Sequence, residues 1–156
     1  MNYSKRYIND LIQSMRKFLK DIVVQKPEIV AVYLFGSFAR DKTRRGSDID
    51  LAFLFDRAFY KNDPYKAFAI AQMTGAEIGE VIGKAVDVSI LNGASLFFSY
   101  EVISTGFCLY ERDYRERIRY EIAIKGQYYD FKPFIMKLRH KKMEYILEVT
   151  EKHARR

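Results

Sequence analysis

Two aspartates that alternate along an apolar stretch, Asp48 and Asp50, are the residues of this sequence best suited to chemistry. They open the run Asp48-Ile49-Asp50-Leu51-Ala52-Phe53-Leu54-Phe55, whose apolar character is typical of a buried strand. Side chains alternate between the two faces of a strand, so both carboxylates are predicted to point the same way while Ile49 and Leu51 point into the core. Neighbouring carboxylates on such a strand are costly unless a cation holds them, and Mg²⁺ prefers these hard oxygen ligands.

A glycine–serine pair precedes the aspartates by ten residues and follows an earlier apolar stretch, Val32-Tyr33-Leu34-Phe35. Gly36 has no Cβ and lets the backbone approach a ligand closely. The Ser37 hydroxyl and the backbone N–H groups near an expected helix N-terminus are typical phosphate ligands. Two basic residues of the following loop, Arg40 and Lys42, are further candidates for phosphate contact. Phosphate ligands beside a metal site predict nucleotide chemistry.

The elements that position these residues can be predicted from hydrophobic periodicity and turn signals. Helices are predicted over residues 4 to 25, from Asp63-Pro64 to Gly83, and over about 94 to 104; strands are predicted from Val30 to Phe35, from Ser47 or Asp48 to Phe55, from Val86 to Leu91, and in a piece ending at Tyr110. Residues 113 to 152 have a helical pattern, which we expect Pro133 to break into two pieces. The predicted fold class is α/β (α+β), a small mixed sheet flanked by helices with a helical C-terminal extension.

The bulk composition bounds the kinds of protein this can be. The chain has 156 residues, of which 49% are hydrophobic and 30% charged, as expected of a globular protein. We expect a single domain over residues 1–156, with a core over about 28–111 and a helical segment over about 113–156. No apolar run approaches the length of a membrane span, and the N-terminus has no signal-like stretch, so a cytoplasmic location without a membrane partner is expected. The net charge of +7 weakly favours an anionic partner.

The spacing of these residues resembles that of a known family. Gly36-Ser37-Phe38-Ala39-Arg40, followed by Gly46-Ser47-Asp48-Ile49-Asp50-Leu51, is similar to the nucleotidyltransferase superfamily of the DNA polymerase β type in its minimal form. The resemblance covers roughly residues 28 to 92 and departs from the pattern at Asp41, where many relatives carry glycine. It implies a polymerase β-like fold and transfer of a nucleotidyl group from a nucleoside triphosphate such as ATP.

The resemblance also implies which residues act. Asp87, on the third predicted strand, matches the family's third carboxylate, which ligates the catalytic metal, deprotonates the attacking hydroxyl, or does both. Together with Asp48 and Asp50 it is implied to hold two Mg²⁺ ions, as in other two-metal sites. Gly36 and Ser37 are implied to bind the triphosphate, with Arg40 or Lys42 near the leaving group.

The motif does not determine the acceptor of the nucleotidyl group. Arg115 to Phe134, with Tyr120, Tyr128-Tyr129-Asp130-Phe131 and Pro133, resembles the tail of MNT-type antitoxins, a family that pairs with HEPN-domain ribonuclease toxins. This resemblance implies AMP transfer from ATP to a toxin tyrosine, in a hetero-oligomer. No nucleic-acid partner is expected, because polymerase-type relatives usually carry an extra nucleic-acid-binding domain and 156 residues leave little room for one. Two alternatives stay open: a small-molecule nucleotidyltransferase of the antibiotic-modifying kind, and a catalytically silent antitoxin that acts by binding alone.

Overall fold

Four strands form one mixed sheet in the computed structural model, which describes residues 3–40 and 46–154, with side chains up to residue 150. The elements in chain order are α1 (Lys5–Val23), β1 (Ile29–Phe35), α2 (Gly36–Ala39), β2 (Ile49–Phe55), α3 (Arg57–Asn62), α4 (Pro64–Ile82), β3 (Val86–Ile90), α5 (Leu96–Thr105), β4 (Phe107–Glu111) and α6 (Tyr114–Ala154). The predicted helices and strands are confirmed to within a few residues at their ends. Within the described ranges, no helix is apolar enough over a sufficient length to cross a membrane.

The sheet has the order β3-β2-β1-β4. β1 is antiparallel to both β2 and β4, whereas β2 is parallel to β3. A parallel pair needs a long crossover connection, which α3 and α4 provide here. The register places Phe35 opposite Asp50 and Asp50 opposite Asp87. Three neighbouring strands therefore bring the end of β1 and two predicted site residues into one line.

Helices cover the two faces of the sheet. On one face α1 and α4 pack against the apolar side chains of the central strands, with Met15, Leu19, Leu34, Leu51, Phe53 and Ile78 in this part of the core. On the other face α5 and the first part of α6 cover Tyr33, Ala52 and Leu54. Because strand side chains alternate, Asp50 and Asp87 lie on this second face. Each is the second residue of its strand, so both lie where β2 and β3 begin.

Pro133 does not break the C-terminal helix, so that prediction was wrong. α6 is continuous from Tyr114 to Ala154, with Pro133 inside it. A proline inside a helix removes one N–H and so frees the carbonyl four residues earlier, here that of Tyr129. The side chains on either side of it, Phe131 and Phe134, are exposed, so water can reach the freed carbonyl and the helix continues.

One short helix was not predicted from the sequence, and one strand begins later than predicted. The short helix α3 was not predicted; Asp56 begins it by accepting a hydrogen bond from the Phe59 amide at 2.8 Å. β2 begins at Ile49 rather than at Ser47 or Asp48, so Asp48 directly precedes the strand. Ile49 and Leu51 are fully buried, as the predicted alternation requires.

Candidate active site

The turn after β1 lies directly against a predicted metal ligand. Gly36 opens the one-turn helix α2 with φ +71°, a left-handed conformation that favours glycine. A Cβ on Gly36 would lie 2.1 Å from the Asp50 Oδ2 atom, well inside any tolerable contact. Both the backbone angle and the space beside Asp50 therefore require glycine here. The reason that the sequence suggested, close approach of the backbone to phosphates, stays a prediction. The turn and the carboxylate form one closely packed unit.

Asp50 and Asp87 are paired across the parallel strands β2 and β3. The Asp50 side chain is half-buried, whereas Asp48 and Asp87 are exposed. Burial raises the pKa of Asp50, the negative charges of Asp87 and Asp48 raise it further, and the positive charge of Arg40 opposes them. The structure thus places Asp48 and Asp87 within electrostatic range of Asp50, near the start of β2 and β3.

This donor set fits a divalent cation. Within residues 3–40 and 46–154, no group of three or more His, Cys, Asp or Glu side chains is arranged to hold a metal ion without adjustment. The exposed Asp48 and Asp87 can adjust their side chains, whereas Asp50 is fixed by the Gly36 turn. Carboxylate oxygens are the ligands that Mg²⁺ prefers, and a cation would relieve the repulsion that raises the pKa of Asp50.

The predicted phosphate ligands follow the glycine. Ser37 lies half-buried in the single turn of α2. Arg40 ends this turn, and its Nε donates a hydrogen bond to the Gly36 carbonyl oxygen at 3.3 Å. The same guanidinium forms an ion pair with Glu101 of α5, with 3.3 Å between Nη2 and Oε1. Lys42 lies outside the described residues, so its predicted role stays a prediction.

Glu101 is a contact of this site, among the residues that the structure describes, that sequence reasoning missed. It lies on α5, far along the chain, where a glutamate carries no sequence signal of a role. Only the packing of α5 beside the end of β1 brings it to Arg40.

Two cavities of the described structure lie at the opposite end of the sheet. A cleft of about 640 Å³ is lined by residues near the start of β1, the ends of β2 and β3, and the first part of α6, including Val30, Phe55, Asn92 and Tyr120. A smaller one of about 490 Å³ lies beside α4 and the end of β3. Neither adjoins Asp50, so the candidate site rests on its chemistry and not on concavity.

The fold and the three carboxylates at the start of β2 and β3 are typical of nucleotidyltransferases. Comparison with known proteins agrees with this class. Residues 17–115 match the family model described as polymerase beta, nucleotidyltransferase. The chain belongs to the polymerase β nucleotidyltransferase family. Over 104 residues it is 31% identical to the protein adenylyltransferase MntA of Aphanizomenon flos-aquae (strain 2012/KM1/D3), a match that covers 64% of this chain and 69% of that relative.

Solved structures share the fold. One is a crystal structure of a toxin–antitoxin with AMP-PNP, with a TM-score of 0.61 and 20% identity over 85% of this chain and 98% of that one. Another is a complex of a tri-AMPylated Shewanella oneidensis HEPN toxin with an MNT antitoxin, with a TM-score of 0.57 and 18% identity over 87% of this chain and 98% of that one. The polymerase β-like fold, and the likeness to MNT-type proteins stated from the sequence, are confirmed.

Proposed function

We propose that this chain is a protein adenylyltransferase that transfers AMP from ATP to a tyrosine of a HEPN-domain ribonuclease toxin and so acts as its antitoxin. The observation that carries the proposal is the pairing of Asp50 with Asp87 beside the Gly36 turn. The 31% identity to a protein adenylyltransferase favours a protein acceptor over a small molecule. The acceptor residue and the nucleotide follow from the resemblance to MNT-type antitoxins.

The proposed reaction is an in-line displacement at phosphorus. The tyrosine oxygen bonds to the α-phosphorus of ATP, the bond from that phosphorus to the oxygen bridging to the β-phosphorus breaks, and diphosphate leaves with the bridging oxygen. The tyrosine proton passes to Asp87, which is exposed and can face an incoming protein surface. Attachment of AMP adds bulk and negative charge to the toxin, which opposes RNA entry.

The other site residues hold the nucleotide. Gly36 lets the backbone approach the phosphates, and the Ser37 hydroxyl donates a hydrogen bond to a phosphate oxygen. Arg40, and Lys42 in the loop that follows, contribute positive charge toward the triphosphate.

Asp48, Asp50 and Asp87 are the residues that would hold two Mg²⁺ ions. When bound, these ions neutralise phosphate charge and favour ionisation of the attacking hydroxyl. Asp50 is the member of the set whose position the fold fixes, because the Gly36 backbone packs against its carboxylate. Asp48 lies two residues before Asp50, at the end of the preceding loop, and Asp87 lies opposite Asp50 on β3.

Intact mass spectrometry tests this function. A HEPN-domain toxin protein is incubated with this chain, ATP and Mg²⁺, and we expect mass gains in steps of about 329 Da, the mass of one AMP residue added by metal-assisted displacement. The Asp48→Ala/Asp50→Ala variant should give none. The matched control is Glu148→Gln, which neutralises an exposed carboxylate of α6 outside the segment that resembles the MNT-type tail and should transfer normally.

The other outcomes separate the alternatives. A stable complex without any mass gain would favour a silent antitoxin that acts by binding. Absence of both mass gain and complex would direct the search to small-molecule acceptors. Mass gains that persist in the double aspartate variant would overturn the assignment of the three carboxylates as the active site.

A further inference from the structure

The ion pair between Arg40 and Glu101 joins the turn after β1 to a helix from a distant part of the chain. Two anchors hold the Arg40 guanidinium: the Gly36 carbonyl accepts from Nε, and the Glu101 carboxylate lies 3.3 Å from Nη2. A guanidinium has five N–H donors in a fixed plane, and these two contacts occupy only its Nε side and one terminal nitrogen. Both anchors therefore fix the orientation of the plane and leave donors for a phosphate.

Glu101 itself has a fixed position. The next two residues of α5, Val102 and Ile103, are buried against the sheet face that carries Asp50. One turn earlier, Phe98 packs edge-on against Phe35, with 5.5 Å between ring centroids. Phe35 is the last residue of β1 and directly precedes Gly36. The contact between Phe98 and Phe35 therefore fixes the position of α5 relative to the Gly36 turn. The backbone of Glu101 is thus set by core packing, although its side chain is exposed.

Arg40 is also close enough to Asp50 for its charge to act on that carboxylate. Without a second anion, the flexible arginine would have Asp50 as its main acidic neighbour among the described residues, and an Arg40–Asp50 pair would remove both from nucleotide binding. Glu101 supplies a second anion, from α5 rather than from β2. It therefore holds the guanidinium beside Asp50 without letting the two neutralise each other.

We propose that Glu101 is a positioning residue that orients Arg40 toward the triphosphate of the nucleotide. The inference rests on the proposed function, because it assigns Arg40 to the triphosphate of that reaction. Glu101 does not contact the reacting atoms; it acts through Arg40. Both side chains are about half exposed, at 45% for Arg40 and 55% for Glu101, so water and salt screen the pair. The effect on nucleotide binding is correspondingly modest.

The test uses three variants and two readouts. Glu101→Ala removes the anchor, Glu101→Gln keeps an amide oxygen that can still accept from the guanidinium, and Arg40→Ala removes the group that Glu101 acts on. Affinity for ATP with Mg²⁺ is measured by calorimetry, and KM and kcat are measured for AMP transfer. Glu101→Ala should weaken ATP binding and raise KM about two- to fivefold, the range an exposed ion pair supports, with kcat within about twofold. Glu101→Gln should stay within about twofold of wild type.

A double-mutant cycle makes the test specific to positioning. The effect of Glu101→Ala should vanish in the Arg40→Ala background, because no guanidinium is left to orient. The matched control is Glu116→Ala, which removes a comparable exposed ion pair with Arg112 away from the site and should leave ATP affinity unchanged. Melting temperatures of all variants show whether each protein remains folded.

Several outcomes would overturn the inference. An equal loss in Glu101→Ala and Glu116→Ala would indicate a general effect of losing an ion pair, and a loss that persists without Arg40 would indicate a different route. Tighter ATP binding in both Glu101 variants would make Glu101 a competitor of phosphate. The proposed function fails separately: a protein that binds ATP but transfers nothing still tests Glu101 by affinity, whereas one that binds no ATP overturns both.

Discussion

The central sheet and the distal part of α6, residues 129–150, both contain many large apolar side chains but are held in different ways. Six of the seven residues of β1 are buried, between strands on both sides and helices on both faces. In distal α6 the large apolar side chains other than Ile135 are exposed, from 36% at Val149 to 67% at Tyr145. Tertiary packing fixes the sheet, whereas distal α6 depends mainly on its own backbone hydrogen bonds. The proposed active site lies where the backbone is determined by many contacts at once, which is what a preorganised site requires.

The largest expected effect comes from removing a charge at the sheet edge. Asp50→Asn should lower AMP transfer about 100-fold or more, the scale on which losing one preorganised charged group acts. The same change should raise the melting temperature in EDTA at neutral pH, because it removes a half-buried carboxylate that faces two others. Transfer is measured by intact mass and stability by thermal unfolding.

The pH dependence gives the sign of this stability effect. The pKa of Asp50 is raised above its ordinary value of 3.8 in the folded protein, so the unfolded state loses the proton more easily. Wild type therefore loses stability relative to Asp50→Asn as the pH rises from the ordinary pKa of aspartate through the raised pKa of folded Asp50. The two proteins should have similar stabilities below roughly pH 3. Glu148→Gln in distal α6, an exposed position, should change neither transfer nor stability. A variant at position 50 that is less stable than wild type in EDTA at neutral pH would contradict this account.

Two glycines with left-handed backbones allow a second test. Gly36 has φ +71° and Gly83, at the end of α4, has φ +65°, so alanine at either site is strained by about 1–2 kcal/mol. Only at position 36 does the new Cβ also meet Asp50; at position 83 nothing lies within 4 Å. Gly36→Ala should lower transfer at least about tenfold by displacing a preorganised group, while Gly83→Ala should transfer normally. Equal activities would mean that the Gly36–Asp50 contact does not position the carboxylate.

Substitutions at two glycines inside helices allow a direct comparison between α4, which packs on the sheet, and α6. A Cβ on Gly75, in α4, would lie 2.4 Å from Val88 Cγ2, whereas nothing lies within 4 Å of one on Gly126, in α6. Gly75→Ala should therefore destabilise the protein by about 1–3 kcal/mol through overpacking against β3. Gly126→Ala should stabilise it by up to about 1 kcal/mol, because alanine is the better helix former. Urea unfolding of both variants measures the difference, and the same sign at both positions would contradict the packing described.

The contrast between the packed sheet and the exposed distal α6 also explains which features could be predicted from the sequence. Strands buried on both faces leave long apolar runs, and Gly36, Ser37, Asp48 and Asp50 are close enough in sequence for their spacing to indicate both the turn and the acidic strand. Their roles as nucleotide and metal ligands stay predictions. The pairing of Asp50 with Asp87 could be expected only because the resemblance supplied the strand order.

Other features were beyond the reach of sequence reasoning, for two physical reasons. The contact between Arg40 and Glu101 depends on where α5 docks, which is set by many weak apolar contacts such as that of Phe98 with Phe35. Pro133 was predicted to break a helix because local propensity was taken to decide. In an exposed helix the freed carbonyl can instead be hydrated, and the neighbouring turns hold the helix together.

Pro133→Ala is expected to have the smallest effect on the stability of the sheet. The substitution restores an N–H that can donate to the Tyr129 carbonyl and favours the local helix by up to about 3 kcal/mol. Because the side chains around it are exposed, this local gain should reach the sheet only weakly. We expect slower hydrogen exchange for amides of distal α6, with exchange in β1 and the main melting temperature unchanged. A rise of several degrees in that melting temperature would show that distal α6 and the sheet unfold as one cooperative unit, and the contrast between the two regions would then describe their exposure but not their stability.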